Sequence, residues 1–198
     1  MGLKIVYEKG QTPLSDEDME GLLIRTITTR GELNELEQLN IQDAVEWTLR
    51  RTFAASSILT TDFVRELHKR MYRDVWRWAG EYRKSDTSIG ISWYQIAVST
   101  KNLVDDAMLW VKNNEFSPDE FAIRFKHKIV SIHCFPNGNG RHSRLMADVI
   151  IDHIFKLPIF TWGRANLTEA GTARTNYLDS LAAADKGDYA PLLSFARS

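Results

Sequence analysis

Cysteine is nearly absent. Cys134 is the only one among 198 residues, which excludes an internal disulfide and points to a reducing compartment. No long apolar run occurs, so neither a signal peptide nor a membrane span is expected. The start at Met1-Gly2 lacks the nearby hydroxyl residue of a myristoylation signal. Charge of one sign is missing too: 25 Lys and Arg face 26 Asp and Glu, for a net charge of −1. That balance provides no global field to recruit nucleic acid or an anionic membrane, and no basic recognition helix stands out. There are no repeats and no low-complexity tracts. Among His68, His127, His142 and His153 no pair has a metal-binding spacing with acids or cysteine. The expectation is a cytoplasmic protein with an ordinary core, without a membrane or direct nucleic-acid partner.

The apolar pattern is helical almost throughout. Residues 1–14 hold a β-like piece, Leu3 to Tyr7, and the turn-rich Gly10-Gln11-Thr12-Pro13. Ser15-x-x-Asp18 caps a helix predicted over Asp16 to Thr28, and Thr29-x-x-Glu32 is a capping box for the next, to about Thr52. A further helix begins at Thr61. Trp76 to Arg83 breaks the helical period, and residues 84–94 read as a short hairpin or loop around Ser88-Ile89-Gly90-Ile91. Helices follow over about Ser99–Asn113, Ser117–Ser131, Gly140–Phe155 and Leu167–Asp185, with a short last one from Tyr189. The fold class is all-α with one small hairpin, divided into an N-terminal helical extension (1–59) packed on a main domain (60–198).

The run His133-Cys134-Phe135-Pro136-Asn137-Gly138-Asn139-Gly140-Arg141-His142-Ser143-Arg144 carries the chemistry. It lies between two apolar-periodic stretches and therefore reads as helix, tight glycine loop, helix. Backbone N–H groups at a helix start, a positive dipole end and little side chain in the way make an anion cradle. His133 closes the first helix beside that cradle, where an imidazole can take a proton. Arg141 and Arg144 lie on the first turn of the second helix, and forked guanidinium groups suit phosphate oxygens. The other four histidines, His68, His127, His142 and His153, read as structural or surface residues. Trp47, Trp76 and Trp78 read as packing.

The same run resembles the motif of the Fic/Doc family, His-x-Phe-x-(Asp/Glu)-Gly-Asn-Gly-Arg-x-x-Arg, at every defined position except Asn137. The resemblance extends over roughly residues 60–195, through Trp78-Ala79-Gly80-x-Tyr82-Arg83 and Asp185-Lys186-Gly187-Asp188. Gly10-x-Thr12-Pro13-Leu14 and Leu33-Asn34-x-x-Glu37-Gln38-x-Asn40-Ile41 look like the subgroup called mobile mystery protein B. Most members of the family move AMP from ATP to a protein hydroxyl. The resemblance implies that activity here, with His133 as general base and Gly138, Asn139 and Gly140 on the phosphates through their amides. The Asn139 side chain would add a contact to phosphate or metal water.

Arg141 and Arg144 would clamp the outer phosphates, Tyr177 would line the nucleoside pocket and Asp185 would bond sugar or base. Mg²⁺ is the implied cofactor and ATP the co-substrate, yet Asn137 offers a neutral oxygen where the family has a metal-binding acid, so Mg²⁺ is expected to bind weakly. Ser88, Ile89 and Gly90 would belong to a flap that docks the target by strand addition. Many members are silenced by a glutamate that pairs with the second motif arginine. Glu37 is the candidate here, placed to reach Arg144, although a solvated acidic face on that helix is the plainer reading. The resemblance also implies a toxin-like or regulatory role with a separately encoded antitoxin-like partner. UMP or phosphoryl transfer and an inactive nucleotide-binding module are alternatives, phosphoryl transfer being disfavoured by Gly140, where the kinase type has lysine.

Overall fold

The computed structural model describes residues 15–164, 167 and 171–198. The β-like piece at Leu3 to Tyr7 and the Gly10 to Leu14 part of the subgroup resemblance lie outside the described residues. Helices α1 (Asp16–Met19), α2 (Arg30–Leu49), α3 (Ala55–Ile58), α4 (Thr61–Tyr72), α5 (Ile96–Asn113), α6 (Pro118–Ile132), α7 (Asn139–His153), α8 (Thr172–Asp185) and α9 (Ala190–Arg197) follow in order. Single 3₁₀ turns at Trp93–Gln95 and Trp162–Arg164 complete the regular structure of the described residues. The α6–α7 pair forms the centre, with α4 and α5 against it, α2 on α4, and α9 on both α6 and α8.

Local chemistry sets these boundaries. The Thr29 hydroxyl accepts from Glu32 N at 3.2 Å while the Glu32 carboxylate accepts from Thr29 N at 3.0 Å, the reciprocal box that starts α2. Thr60 caps α4 through Phe63 N, and Ser117 precedes Pro118 at the start of α6. α2 buries Leu33, Glu37, Asn40, Ala44 and Thr48 along one stripe. Three of those positions are polar, and each has a partner; the Thr48 hydroxyl donates to Val45 O at 2.7 Å. Asn40 Oδ1 accepts from Asp74 N at 3.0 Å, and Glu37 faces Trp76 and Arg141. A buried polar group without such partners would be costly, so this stripe selects one docking register for α2.

Two expectations fail here. The first helix ends at Met19 instead of Thr28, because the chain turns at Gly21 to pass under Trp78. A Cβ at Gly21 would stand 2.5 Å from Trp78 Cδ1. Leu22 then pairs as an isolated bridge with Trp76, and Leu23 N donates to Val75 O at 2.9 Å, which ties the N-terminal third to the core. The second failure is the hairpin. Residues 84–92 form an irregular loop with no strand ladder, for a reason given below.

Candidate active site

The centre of the site is the turn between α6 and α7. His133 ends α6 in the left-handed region, φ 58° and ψ 60°, and Gly138 caps α7 at φ 78°. A non-glycine residue held there marks local strain that the surroundings must impose. They do so from three sides. Arg83, 3% exposed, donates from Nε to His133 O at 2.7 Å. His68, wholly buried, accepts from Gly80 N at 3.0 Å through Nδ1, which leaves Nε2–H to donate to Asn137 O at 3.0 Å. Its ring stacks on Phe135 with centroids 3.7 Å apart. Asn139 closes the loop internally: Oδ1 accepts from Phe135 N at 2.9 Å and Nδ2 donates to Phe135 O at 2.7 Å.

That bracing corrects one expected role. The Asn139 amide is spent on Phe135 and is 4% exposed, so it shapes the loop and does not reach a ligand. Gly138 changes as well. Its N–H is taken by Asn137 Oδ1 at 2.5 Å, which leaves the amide cradle to the first turn of α7. Gly138 cannot be replaced cheaply, since a Cβ would lie 2.5 Å from the Tyr72 ring.

A cavity of about 540 Å³ opens over this turn. It brings together His133, Asn137, Gly138, Asn139, Gly140, Arg141, Arg144, Tyr177 and Asp185 from the motif and from α8, with Ile89 and Gly90 from the overlying loop. Ser88 is exposed and outside its lining. His127 also lines the cavity, bridging Asp185 (Nε2 to Oδ1, 2.8 Å) and Tyr189 (Nδ1 to the hydroxyl, 3.1 Å). The expectation of a structural or surface residue misses this; the available signal is the i, i+3 and i+4 spacing of His127, Val130 and Ser131, all of which line the cavity. His142 does stay structural, with Nε2 2.9 Å from Val64 O.

Behind the lining, Lys126 is wholly buried with Nζ 4.6 Å from the Tyr177 ring centroid, and Arg144 stands 5.5 Å from the same ring. The two cations hold the Tyr177 phenol below its ordinary range even though burial pushes it up, and burial lowers Lys126.

Burial pulls His133 down to about 4, with Arg83 adding to the shift and a hydrogen bond to the Val130 backbone opposing it. The ring is therefore neutral at pH 7, as a base must be, and weaker than a free imidazole; a bound anion would raise it. Cys134, pushed up to about 12 by burial, packs beside Thr100 and is not a nucleophile.

The loop over the cavity owes its shape to Arg83. Besides His133 O, this guanidinium donates to Ser85 O at 2.7 Å and to Ile91 O. One buried side chain thus replaces a strand ladder, which accounts for the missing hairpin. Gly90 passes directly over the catalytic candidate at φ 101°, where a Cβ would lie 2.4 Å from His133 Cβ.

Glu37 is neither a solvated acid nor a partner of Arg144. It is 2% exposed, accepts from Trp76 Nε1 at 2.7 Å and pairs with Arg141, Oε2 to a guanidinium nitrogen at 2.6 Å. α2 delivers it beside the first motif arginine because Glu37 lies on the buried stripe described above. Among the described residues no group of three or more His, Cys, Asp or Glu side chains is placed to hold a metal ion. The loop oxygens suit Mg²⁺ poorly, since Asn137 Oδ1 and O and Asn139 Oδ1 all accept from protein donors.

Residues 58–151 match the Fic/DOC family. The chain carries a Fic/DOC family domain. Protein adenylyltransferase Fic from Aedes aegypti is 25% identical over 83% of this chain and 32% of its own length. The protein of the same name from Nematostella vectensis is 26% identical over 82% and 37%. The chain spans about a third of the length of these curated relatives. Fic-1 (residues 134–508) from C. elegans superposes with a TM-score of 0.68 at 22% identity, covering 90% of this chain and 51% of that one. The BepC effector from Bartonella tribocorum with bound AMPPNP superposes at 0.66 with 16% identity, covering 96% and 93%. At such identities the superpositions show that the all-α Fic fold is shared. Among the described residues no helix is long and apolar enough to cross a membrane.

Proposed function

We propose that this Fic domain transfers AMP from ATP to a hydroxyl of a target protein. The observation that carries this reading is one cavity lined by His133, the first turn of α7, Arg141, Arg144, Tyr177 and Asp185. The base, the anion cradle and a nucleoside-sized recess share that single space. Adenylyltransferase relatives and a Fic neighbour described with bound AMPPNP support it.

In the proposed step the target oxygen attacks the α-phosphorus and gives its proton to His133. The bond from that phosphorus to the bridging oxygen breaks, and pyrophosphate leaves against Arg141 and Arg144. Catalysis is then positioning and electrostatics, with the attacking group presented under Ile89 and Gly90. Mg²⁺ enters this reading as a companion of the nucleotide phosphates, not as a resident of the protein. The biological setting we favour is a cytoplasmic toxin-like or regulatory enzyme with an antitoxin-like protein partner.

Intact-mass analysis of the protein and of lysate targets after incubation with ATP, or with UTP, tests this. An AMP adduct that needs ATP supports the reading; a UMP adduct alone would replace it with uridylyl transfer. Asn137 favours the second reading, a nucleotide-binding module, because its side chain is turned onto Gly138 N–H and no acid stands in the loop. Transfer that appears only in Asn137→Asp would support that module.

Glu37 is proposed to restrain the site by competing with phosphate for Arg141. Glu37→Gln keeps an acceptor for Trp76 and removes the charge. It should raise label incorporation about fivefold or more while lowering thermal stability. A fall in both would make Glu37 a supporting residue instead.

A further inference from the structure

The cavity is rich in cations and poor in metal donors, and both facts concern the same ligand. Arg30, Arg141, Arg144 and Arg174 line it, and Lys126 lies behind Tyr177. Against these stand one lining carboxylate, Asp185, already bonded to His127 at 2.8 Å, and Glu37 behind Arg141. Among the described lining residues Asp185 is the only acid.

The oxygens that could ligate a cation beside the α7 start are committed to protein donors. Asn137 Oδ1 is 2.5 Å from Gly138 N, Asn137 O is 3.0 Å from His68 Nε2, and Asn139 Oδ1 is 2.9 Å from Phe135 N. His68 is buried with Phe135 stacked against it, so this arrangement is locked from behind. A protein-anchored Mg²⁺ takes one or two carboxylates beside the substrate's phosphates, and the loop supplies no carboxylate. A polyphosphate needs positive charge near its oxygens, and the cavity supplies it from side chains.

We infer that this site neutralises its nucleotide's phosphates with arginine charge in place of a protein-anchored divalent metal, so that the nucleotide binds without one. The inference rests on the nucleotide reading above. It assigns the phosphate subsite to the lining residues Arg30 and Arg174 alongside the two motif arginines.

The test is calorimetric titration of the whole chain with AMPPNP, once in excess EDTA and once in millimolar Mg²⁺. The expected result is dissociation constants within about threefold of each other. Asn137→Asp adds a carboxylate to the loop. It should weaken binding in EDTA and open a gap of about tenfold in favour of Mg²⁺. Wild-type binding that is tighter in Mg²⁺ by about tenfold or more would overturn the inference and leave the nucleotide reading standing. Absence of binding in both buffers would overturn the nucleotide reading and the inference with it.

Discussion

The turn that carries His133 and the loop that passes above it are held in opposite ways. The turn is fixed from inside: Asn139 clasps Phe135 twice, His68 holds Asn137 O, and every brace is buried. The loop over residues 84–91 has no ladder and an exposed tip, with Ile89 44% exposed, and hangs largely on one guanidinium. Arg83 belongs to both regions, because the same side chain reaches His133 O and Ile91 O. In the proposed function, a preorganised base would sit beneath a segment left free of a strand ladder. The rigid half suits chemistry and the adaptable half suits target recognition.

Breaking the rigid half at its reacting atom should have the largest effect. His133→Ala is expected to lower AMP transfer by about 10²–10⁴-fold, read as initial label incorporation, while AMPPNP affinity stays near wild type. Cutting the shared element comes next. Arg83→Met strips donors from three carbonyls, so it should cost about 3 kcal/mol in thermal unfolding and about 10²-fold in transfer. Equal loss in nucleotide affinity would show that Arg83 supports the whole turn and not the alignment of loop with base.

Gly90→Ala sharpens the contrast from the adaptable side. Its Cβ would crowd His133 at 2.4 Å in a conformation with φ 101°. Target labelling should fall about tenfold, with nucleotide titration little changed. The smallest effect concerns acid. His133 and His142 are lowered to about 4 by burial, and His68 and His127 are lowered as well. The unfolded chain therefore binds protons more readily than the fold below about pH 6.5, and stability drops as pH falls from there towards 4. Asp148, raised to about 7 by burial beside Trp162, acts oppositely and loses its contribution as pH rises through 7. The histidines outnumber it, so melting temperature at pH 5 should lie about 10 °C below that at pH 7. A flat profile would contradict the buried neutral state of these rings.

Much of this was legible in the residues and some of it was not. Caps at Thr29, Thr60 and Ser117 are local chemistry, so the helices they start appear where the sequence puts them. The motif also announced the loop and its flanking helices. What failed depended on distant partners. Gly21 ends α1 early only because Trp78 packs there. The hairpin pattern around Ile89 gave way to Arg83, whose role is visible only when residues 83, 91 and 133 meet. Glu37 chose Arg141 over Arg144 through the facing of α2, a matter of helix packing that spacing alone does not decide. Lys126 on the apolar face of α6 was a signal in plain view, since a lysine among Ala122, Ile123, Phe125 and Ile129 must find compensation in the core.

The central claim is transfer of AMP by His133. Incubation of the purified protein with ATP labelled at the α-position, beside ATP labelled at the γ-position and the His133→Ala variant, tests it most directly. Protein-bound label is expected from the α-position alone, lost in His133→Ala. Label from the γ-position, or α-label that persists without His133, would contradict it.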